Sequence, residues 1–238
     1  MAQLPAIQAT RKSGKECFEG MDGENSLQDF WAWAFSDLVS NTERGKLAEY
    51  LVAKAMGCGT QISQTWESYD LLSPEGIKIE VKTSAYIQSW KQKAFSKISF
   101  GIAKTKFWDG LDYVGEKKRH ADVYVFCVLK HKDQETINPL GLAQWDFYPV
   151  ATRKLNTSFE NQETVSLGSL ISHCKVTACP YSNLKDAIEK NIVHERCSYL
   201  VFFLGRPVCF FGGCGSFFIS FSIRRMASDA SREKTAAI

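Results

Sequence analysis

The sequence lacks the cysteine pairs and the histidines that build zinc modules or disulfide frameworks. Its eight cysteines include no CxxC pair, and only four histidines occur in 238 residues. Because these spacings fit no zinc module, we expect free thiols in a reducing compartment. Residues 2–20 also lack the apolar core of a signal peptide, so a cytoplasmic location is expected.

A strong net charge is also missing. The 29 Lys and Arg residues nearly balance the 26 Asp and Glu residues, which leaves a net charge of +3. Any surface for a polyanion must therefore come from local clusters of charge, because bulk attraction is weak. A hydrophobic fraction of 45% is ample for a buried core, either as one large domain or as a core with appendages.

By composition, the chain divides into three predicted regions. Residues 1–24 are polar and contain several Gly and Lys, which predicts a flexible arm. Residues 25–195 carry the periodic patterns of a folded domain. Residues 196–238 form an atypical tail that is first hydrophobic and then polar.

The tail contains the one long hydrophobic stretch, and that stretch is interrupted. Residues 199–223 are long enough to cross a bilayer, but Arg206, Pro207 and several glycines fall inside them. One central Arg costs roughly 2.5–3.5 kcal/mol on the insertion scale. Three interpretations stay open: a degraded membrane anchor, a hydrophobic hairpin packed on the core, or an out-of-frame extension. The last two are favoured, which argues against a membrane partner.

The most informative segment, residues 68–83, predicts a β-hairpin. Its loop, residues 74–76, has Pro at the first corner and Gly at a left-handed position. This register places Asp70 directly opposite Glu80, with Lys82 on the same face. Opposed carboxylates have Cβ atoms roughly 4.5–5.5 Å apart and repel each other unless a cation lies between them. A hard divalent metal with oxygen ligands is the natural occupant.

A helix is predicted just before this hairpin, over residues 41–57. Asn41 or Thr42 serves as its N-cap and Gly57 ends it. Glu49 then lies near the border of the apolar stripe, where it can approach the hairpin.

At these residues the chain resembles the PD-(D/E)xK nuclease superfamily. The signature of that superfamily is an acid on one strand and a (D/E)-x-K on the next, here Asp70 and Glu80-Val81-Lys82. Many members add a glutamate on the preceding helix, here Glu49. The residue before the first acid is Tyr instead of Pro. The resemblance implies a restriction-endonuclease-like α/β fold, a mixed central sheet flanked by helices with an αβββαβ core.

The resemblance further implies a Mg²⁺-dependent endonuclease whose substrate is DNA, with Mn²⁺ as a substitute metal. Asp70, Glu80 and the carbonyl of Val81, joined by Glu49, would hold the metal, and Lys82 would hold or activate a water. A solvated hairpin face, or a DNA-binding or assembly protein that keeps the fold without catalysis, stays open. Restriction, repair, recombination and junction resolution also stay open, and a homodimer is compatible with each.

After the Glu-x-Lys motif, polar and aromatic residues alternate with lysines. Thr83, Ser84, Lys91 and Lys93 suit contacts with a phosphate backbone. Gln88 occupies the region where some related nucleases carry a functional glutamine. Solvated loop side chains are an equally supported interpretation of this stretch.

The rest of the domain predicts strands at residues 97–102, 121–129, 144–150 and 164–167, and helices starting at Ser26 and over 183–191. Residues 108–113 are predicted to be a loop, and residues 116–120 a charged lead-in to the next strand. The continuous apolar run at 121–129 predicts a central strand buried on both faces. Arg119, His120 and Asp122 at its start could reach a phosphate or support a metal, but a strand-end polar role for Asp122 and a surface position for His120 are favoured.

Overall fold

The computed structural model describes residues 7–23, 25–63 and 67–192. Its helices are α1 (Leu27–Phe35), α2 (Asn41–Ala55), α3 (Thr152–Ser158), α4 (Leu167–Cys174) and α5 (184–192). Its strands are β1 (Leu71–Leu72), β2 (Lys78–Ala85), β3 (Ser99–Gly101), β4 (Thr105–Trp108), β5 (Tyr113–Lys118), β6 (Val123–Leu129), β7 (Trp145–Ala151) and β8 (Thr164–Ser166). The predicted tail, 196–238, lies outside the described residues. Within the described ranges, no helix is long and apolar enough to span a bilayer.

A mixed sheet with the strand order β1-β2-β6-β7 forms the centre of the fold. Strands β1 and β2 are antiparallel, β2 and β6 are parallel, and β6 and β7 are antiparallel. All seven residues of β6 are buried, which confirms the predicted central strand. The α/β class with a mixed central sheet flanked by helices is therefore confirmed.

Each face of this sheet packs against its own layer, because alternate residues of a strand point to opposite sides. One face packs against α2 and α5, through Ala48, Val52, Val81, Leu184 and Ile188. The other packs against the small β3–β8 sheet and helices α3 and α4, through Phe100, Tyr124, Phe126, Leu155 and Leu170. Each fully buried Leu, Ile or Phe contributes about 1.5–3 kcal/mol to folding, so both layers hold the sheet in place.

The connection between β2 and β6 differs from the αβββαβ order that the resemblance implies. Residues 86–122 contain β3, β4 and β5 but no helix. Among the described residues, strands β4 and β5 pair only with each other. Residues 108–113, predicted to be a loop, form the last cross-strand pair and the tip of that hairpin. Helices α3 and α4 were not predicted, although the apolar residues of α4 have helical spacing, because each helix is only about two turns long.

The start of α2 also differs from the prediction. Its N-cap is Ser40, not Asn41 or Thr42. The Asn41 side chain instead accepts a hydrogen bond from the guanidinium of Arg44, so it does not cap the helix. The predicted stop is confirmed, since Gly57 has a φ of 75° in the left-handed region.

The described cysteines are free, as expected: Cys17, Cys58, Cys127, Cys174 and Cys179. Three of these, Cys58, Cys127 and Cys174, are buried. Burial raises the pKa of the Cys127 thiol, so this side chain acts as a small apolar group of the core.

Candidate active site

Strand β2 has an open edge, which we define as the side of residues 80–85 that faces away from β6. On that side β1 pairs with only two residues of β2, in the pairs Leu71–Ile79 and Leu72–Lys78. On the other side β2 pairs with β6 as far as Ala85. Within the part of the chain that the structure describes, the open edge therefore has no strand neighbour.

Asp70 meets β2 where this open edge begins, but it is not paired with Glu80 as predicted. Its amide donates to the carbonyl of Ile79 at 3.0 Å, although Leu71 is already the ladder partner of Ile79. Two residues thus oppose one, as in a β-bulge. The Asp70 carboxylate takes the place of a strand carbonyl and accepts a hydrogen bond from the Val81 amide at 2.7 Å.

The bulge orients Val81 as well as Asp70. In a strand, the amide and carbonyl of one residue point to the same side. Because the Val81 amide is bound by Asp70, the Val81 carbonyl also faces the open edge. A backbone oxygen and a carboxylate are thus presented side by side.

Glu80 and Lys82 lie on one face of β2 and form an ion pair, with 2.6 Å between the Lys82 Nζ and the Glu80 Oε1. The Glu80 side chain is 17% exposed and that of Lys82 is 34% exposed, so solvent reaches the pair from one side. Burial, then the negative charges of Asp70 and Glu49, raises the pKa of Glu80 against the opposing effect of Lys82.

The same negative charges act on Lys82, which is a cation, and stabilise its charged form. Burial alone would lower the pKa of Lys82, but the charges of Glu80, Asp70 and Glu49 outweigh it and raise that pKa. The ammonium is therefore charged at neutral pH. The structure thus brings Asp70, Glu80 and Lys82 together, with Glu49 within electrostatic reach.

Helix α2 carries Glu49 to this edge. An added Cβ at Gly45 would lie 3.9 Å from the Thr83 side chain, so the helix passes beside β2. The Glu49 carboxylate forms an ion pair with Lys46 at 2.7 Å and accepts a hydrogen bond from the Ser63 hydroxyl at 3.4 Å. Glu49 thus contributes negative charge at the edge while its own direct partners are on α2 and the loop that follows.

The donor set fits a hard divalent cation. No three Asp, Glu, His or Cys side chains among the described residues form a ready-made metal cluster. Mg²⁺, however, is usually held by one or two carboxylates and keeps several waters. Asp70, Glu80 and the Val81 carbonyl provide oxygen ligands for such a site, and the mutual repulsion of the carboxylates would be relieved by a cation.

Three of the five predicted DNA contacts are exposed or partly exposed: Ser84, Lys91 and Lys93. Thr83 is partly exposed, but its hydroxyl oxygen is buried. Gln88 is buried as a whole. It accepts a hydrogen bond from Arg44 at 3.2 Å and donates to the Ala85 carbonyl at 2.9 Å, which ties α2 to the end of β2. Contact of these five residues with DNA stays a prediction.

The structure gives Arg119 and its neighbours structural roles at the start of β6. Arg119 is 6% exposed, and its guanidinium donates to three backbone carbonyls, those of Ile102, Phe159 and Gln162, and to the Asn156 side chain. Asp122 accepts a hydrogen bond from the Lys78 amide at 2.9 Å. His120 contacts the Thr105 carbonyl at 2.8 Å. These side chains hold the start of β6.

Tyr124 was not predicted, and it belongs to the neighbourhood of the site. It is the partner of Glu80 in the parallel ladder between β2 and β6. Burial, then the charge of Glu80, raises the pKa of the Tyr124 hydroxyl, so the phenol is neutral. No signal in the sequence could have found it, because the pairing of β2 with β6 joins segments about 40 residues apart.

Comparison with known proteins gives one family. The profile of the family described as bacteriophage T4 endonuclease IV matches residues 26–169. That range covers more than half of the chain and contains α1, α2, the whole central sheet and the site at the open edge. Among curated proteins, no significant match to this chain is found.

Proposed function

The chain belongs to the bacteriophage T4 endonuclease IV family, and from this premise we propose that it is a metal-dependent endonuclease of PD-(D/E)xK type that hydrolyses phosphodiester bonds in DNA. Family membership indicates a DNA endonuclease. The charged groups at the open edge support the finer assignment. The observation that carries it is the Glu80–Lys82 pair beside Asp70 at the open edge of β2.

In this proposal Asp70, Glu80 and the Val81 carbonyl hold Mg²⁺, with Glu49 adding negative charge from α2. When bound, the metal would polarise the phosphate and lower the pKa of a coordinated water. Mn²⁺, which accepts the same oxygen ligands, would substitute for it.

Lys82 supplies the positive charge of the chain itself. The surrounding carboxylates keep its ammonium protonated. It can therefore donate hydrogen bonds to phosphate oxygens on which charge builds up during in-line displacement, and it can orient the attacking water. Its partial exposure leaves access for substrate from the open edge.

The metal is tested by removing it from the purified full chain. Incubation with plasmid DNA should produce nicks in Mg²⁺, no nicks in excess EDTA, and nicks again after Mg²⁺ or Mn²⁺ is restored. The circular dichroism of the EDTA-treated protein should be unchanged, which excludes unfolding as the cause. Cutting that persists in EDTA would overturn the metal assignment. A protein that binds plasmid without cutting it would instead favour the non-catalytic DNA-binding alternative.

Replacing Lys82 with methionine tests the role of its charge. We expect the cleavage rate at saturating Mg²⁺ to fall about a hundredfold, because one preorganised donor to the transition state is lost. The Mg²⁺ concentration for half-maximal activity should not rise, since Lys82 is not a ligand and its removal leaves the carboxylates in place. A large rise in that concentration with an unchanged maximal rate would contradict this role.

A further inference from the structure

A cleft of about 770 Å³ opens between the N-terminal segment (residues 7–17), helix α1 and the loop that follows α2. Its walls include Arg11 and Lys12 from the N-terminal segment, Trp31 from α1, and Gln61 and Ile62 from the loop. Among the described residues that line it, two are cations and none is an acid. The volume falls within the range of small-molecule sites, about 300–1,000 Å³.

The Trp31 ring is held in place by the N-terminal segment. Gly14 has a φ of 92° in the left-handed region, and an added Cβ there would lie 2.9 Å from the Trp31 ring, so glycine is required for this close approach. The Gln28 amide donates to the Gly14 carbonyl at 2.9 Å. The Glu16 carboxylate accepts hydrogen bonds from the amides of Ser13 and Gly14. Because Trp31 stays 37% exposed, it presents a fixed aromatic surface to the cleft.

Positive charge lies in the same cleft as this aromatic ring. Arg11 and Lys12 are both exposed. Arg11 donates to the Thr60 carbonyl at 3.3 Å, which joins the N-terminal segment to the loop after α2. A guanidinium has five N–H donors, so Arg11 keeps donors for an anion. A phosphate group in the cleft would therefore meet two cations beside an aromatic surface.

The cleft adjoins the candidate active site. Ile62 in its wall is followed by Ser63, whose hydroxyl donates to the Glu49 carboxylate at 3.4 Å. Consecutive Cα atoms are about 3.8 Å apart, so the wall of the cleft leads directly to Glu49. Glu49 in turn lies within electrostatic reach of Glu80 and Lys82. A DNA strand with one phosphate at the open edge can thus continue into the cleft.

From this arrangement we propose that the cleft binds one nucleotide of the substrate strand, flanking the cleaved bond, with its base on Trp31 and its phosphate at Arg11 and Lys12. An aromatic ring beside two cations complements the flat base and the anionic phosphate of a nucleotide. Stacking on the indole accepts any base, because every base has a π-face. The proposal rests on the proposed function, since it takes DNA to be the substrate.

The test measures binding separately from cleavage, by titrating a Glu80→Gln form of the full chain with a fluorescent single-stranded oligonucleotide of mixed sequence. Trp31→Ala should weaken binding about tenfold, because stacking of one base is lost. Trp31→Phe should keep most of the affinity, since phenylalanine retains a ring for stacking. Trp33→Ala is the matched control. It removes an indole that is 84% exposed on the same helix but does not line the cleft, and it should leave the affinity unchanged.

Lys12→Ala tests the phosphate contact, at several salt concentrations. It should lower the slope of log affinity against log salt by about 0.7, the value for one phosphate of a single strand. Lys15→Ala removes the same charge from an exposed position of the same segment outside the cleft and should leave the slope unchanged. Because Lys12 is exposed, its replacement leaves the fold intact. This variant therefore decides the question even if Trp31→Ala loosens the N-terminal segment.

Three results would overturn the inference. The first is equal binding by the unsubstituted chain, Trp31→Ala and Lys12→Ala. The second is absence of oligonucleotide binding by the unsubstituted chain. The third is a loss in Trp31→Ala that Trp31→Phe does not restore, combined with an unchanged salt slope in Lys12→Ala, because that pattern indicates a purely structural role for the indole.

The outcomes for the cleft and for the proposed activity are independent. A chain that binds the oligonucleotide through Trp31 and Lys12 but cuts no DNA leaves the cleft assignment intact and overturns the activity. A chain that cuts in Mg²⁺ while its cleft variants bind normally does the reverse.

Discussion

Replacing Glu80 with glutamine should lower the rate of DNA cleavage by about a thousandfold, which corresponds to the several kcal/mol that a bound metal supplies to the transition state. Glutamine has the same shape but lacks the charge that would hold the cation. Its amide oxygen can still accept a hydrogen bond from Lys82, which is partly solvated. The fold should therefore stay intact, as measured by circular dichroism and thermal melting.

Two replacements of Asp70 separate the effect of its charge on cleavage from the effect of its hydrogen bond on stability. Asp70→Asn keeps an oxygen that can accept the Val81 amide, so the bulge should persist while cleavage is lost. Asp70→Ala should lose cleavage and also some stability, because the Val81 amide loses its partner. Glu75→Gln, on the exposed turn of the same hairpin, is the matched control and should cut like wild type. Retained Mg²⁺-dependent cutting by Glu80→Gln or Asp70→Asn would remove the basis for the proposed site.

The hairpin could be predicted because its turn is encoded locally. Pro74 and Gly76 specify the loop, and the amide of Ser73 bonds the carbonyl of Ile77 at 2.9 Å as that register requires. The register holds back to Leu71, which pairs with Ile79, and fails at Asp70. Strand alternation assumes that backbone groups pair with backbone groups, whereas here a side-chain carboxylate accepts the amide of the opposite strand. Competition between a side-chain carboxylate and a backbone carbonyl for one amide leaves no periodic pattern in the sequence.

The hairpin of β4 and β5 was not predicted for a different reason. A strand is recognised in a sequence when one face is buried and apolar residues alternate with polar ones. Both faces of this ribbon are exposed, so the alternation is absent and its turn residues, Asp109 and Gly110, indicate only a loop.

Arg119 marks the boundary between the ribbon and the sheet, and its replacement should have the largest effect on stability. Arg119→Met should reduce the free energy of unfolding by about 2–6 kcal/mol. Methionine fills much of the apolar volume but donates no hydrogen bond, so the carbonyls of Ile102 and Gln162 lose the guanidinium as a partner at about 1–3 kcal/mol each. The Phe159 carbonyl also loses it but still accepts a hydrogen bond from the Gln162 amide. Urea denaturation measures the difference.

The same variant separates a structural role for Arg119 from contact with substrate. Because the guanidinium is buried and committed to protein partners, the folded fraction of Arg119→Met, assayed at low temperature, should cut DNA in Mg²⁺ at nearly the wild-type rate. Arg11→Met is the control for the substitution itself, since Arg11 is exposed and donates one hydrogen bond at 3.3 Å, and it should change stability by less than about 0.5 kcal/mol. If Arg119→Met has normal stability but has lost cleavage, the structural role is wrong and Arg119 instead binds the phosphate of the substrate. Total stabilities of such domains are about 5–15 kcal/mol, so the expected loss is large enough for urea denaturation to decide between the two roles.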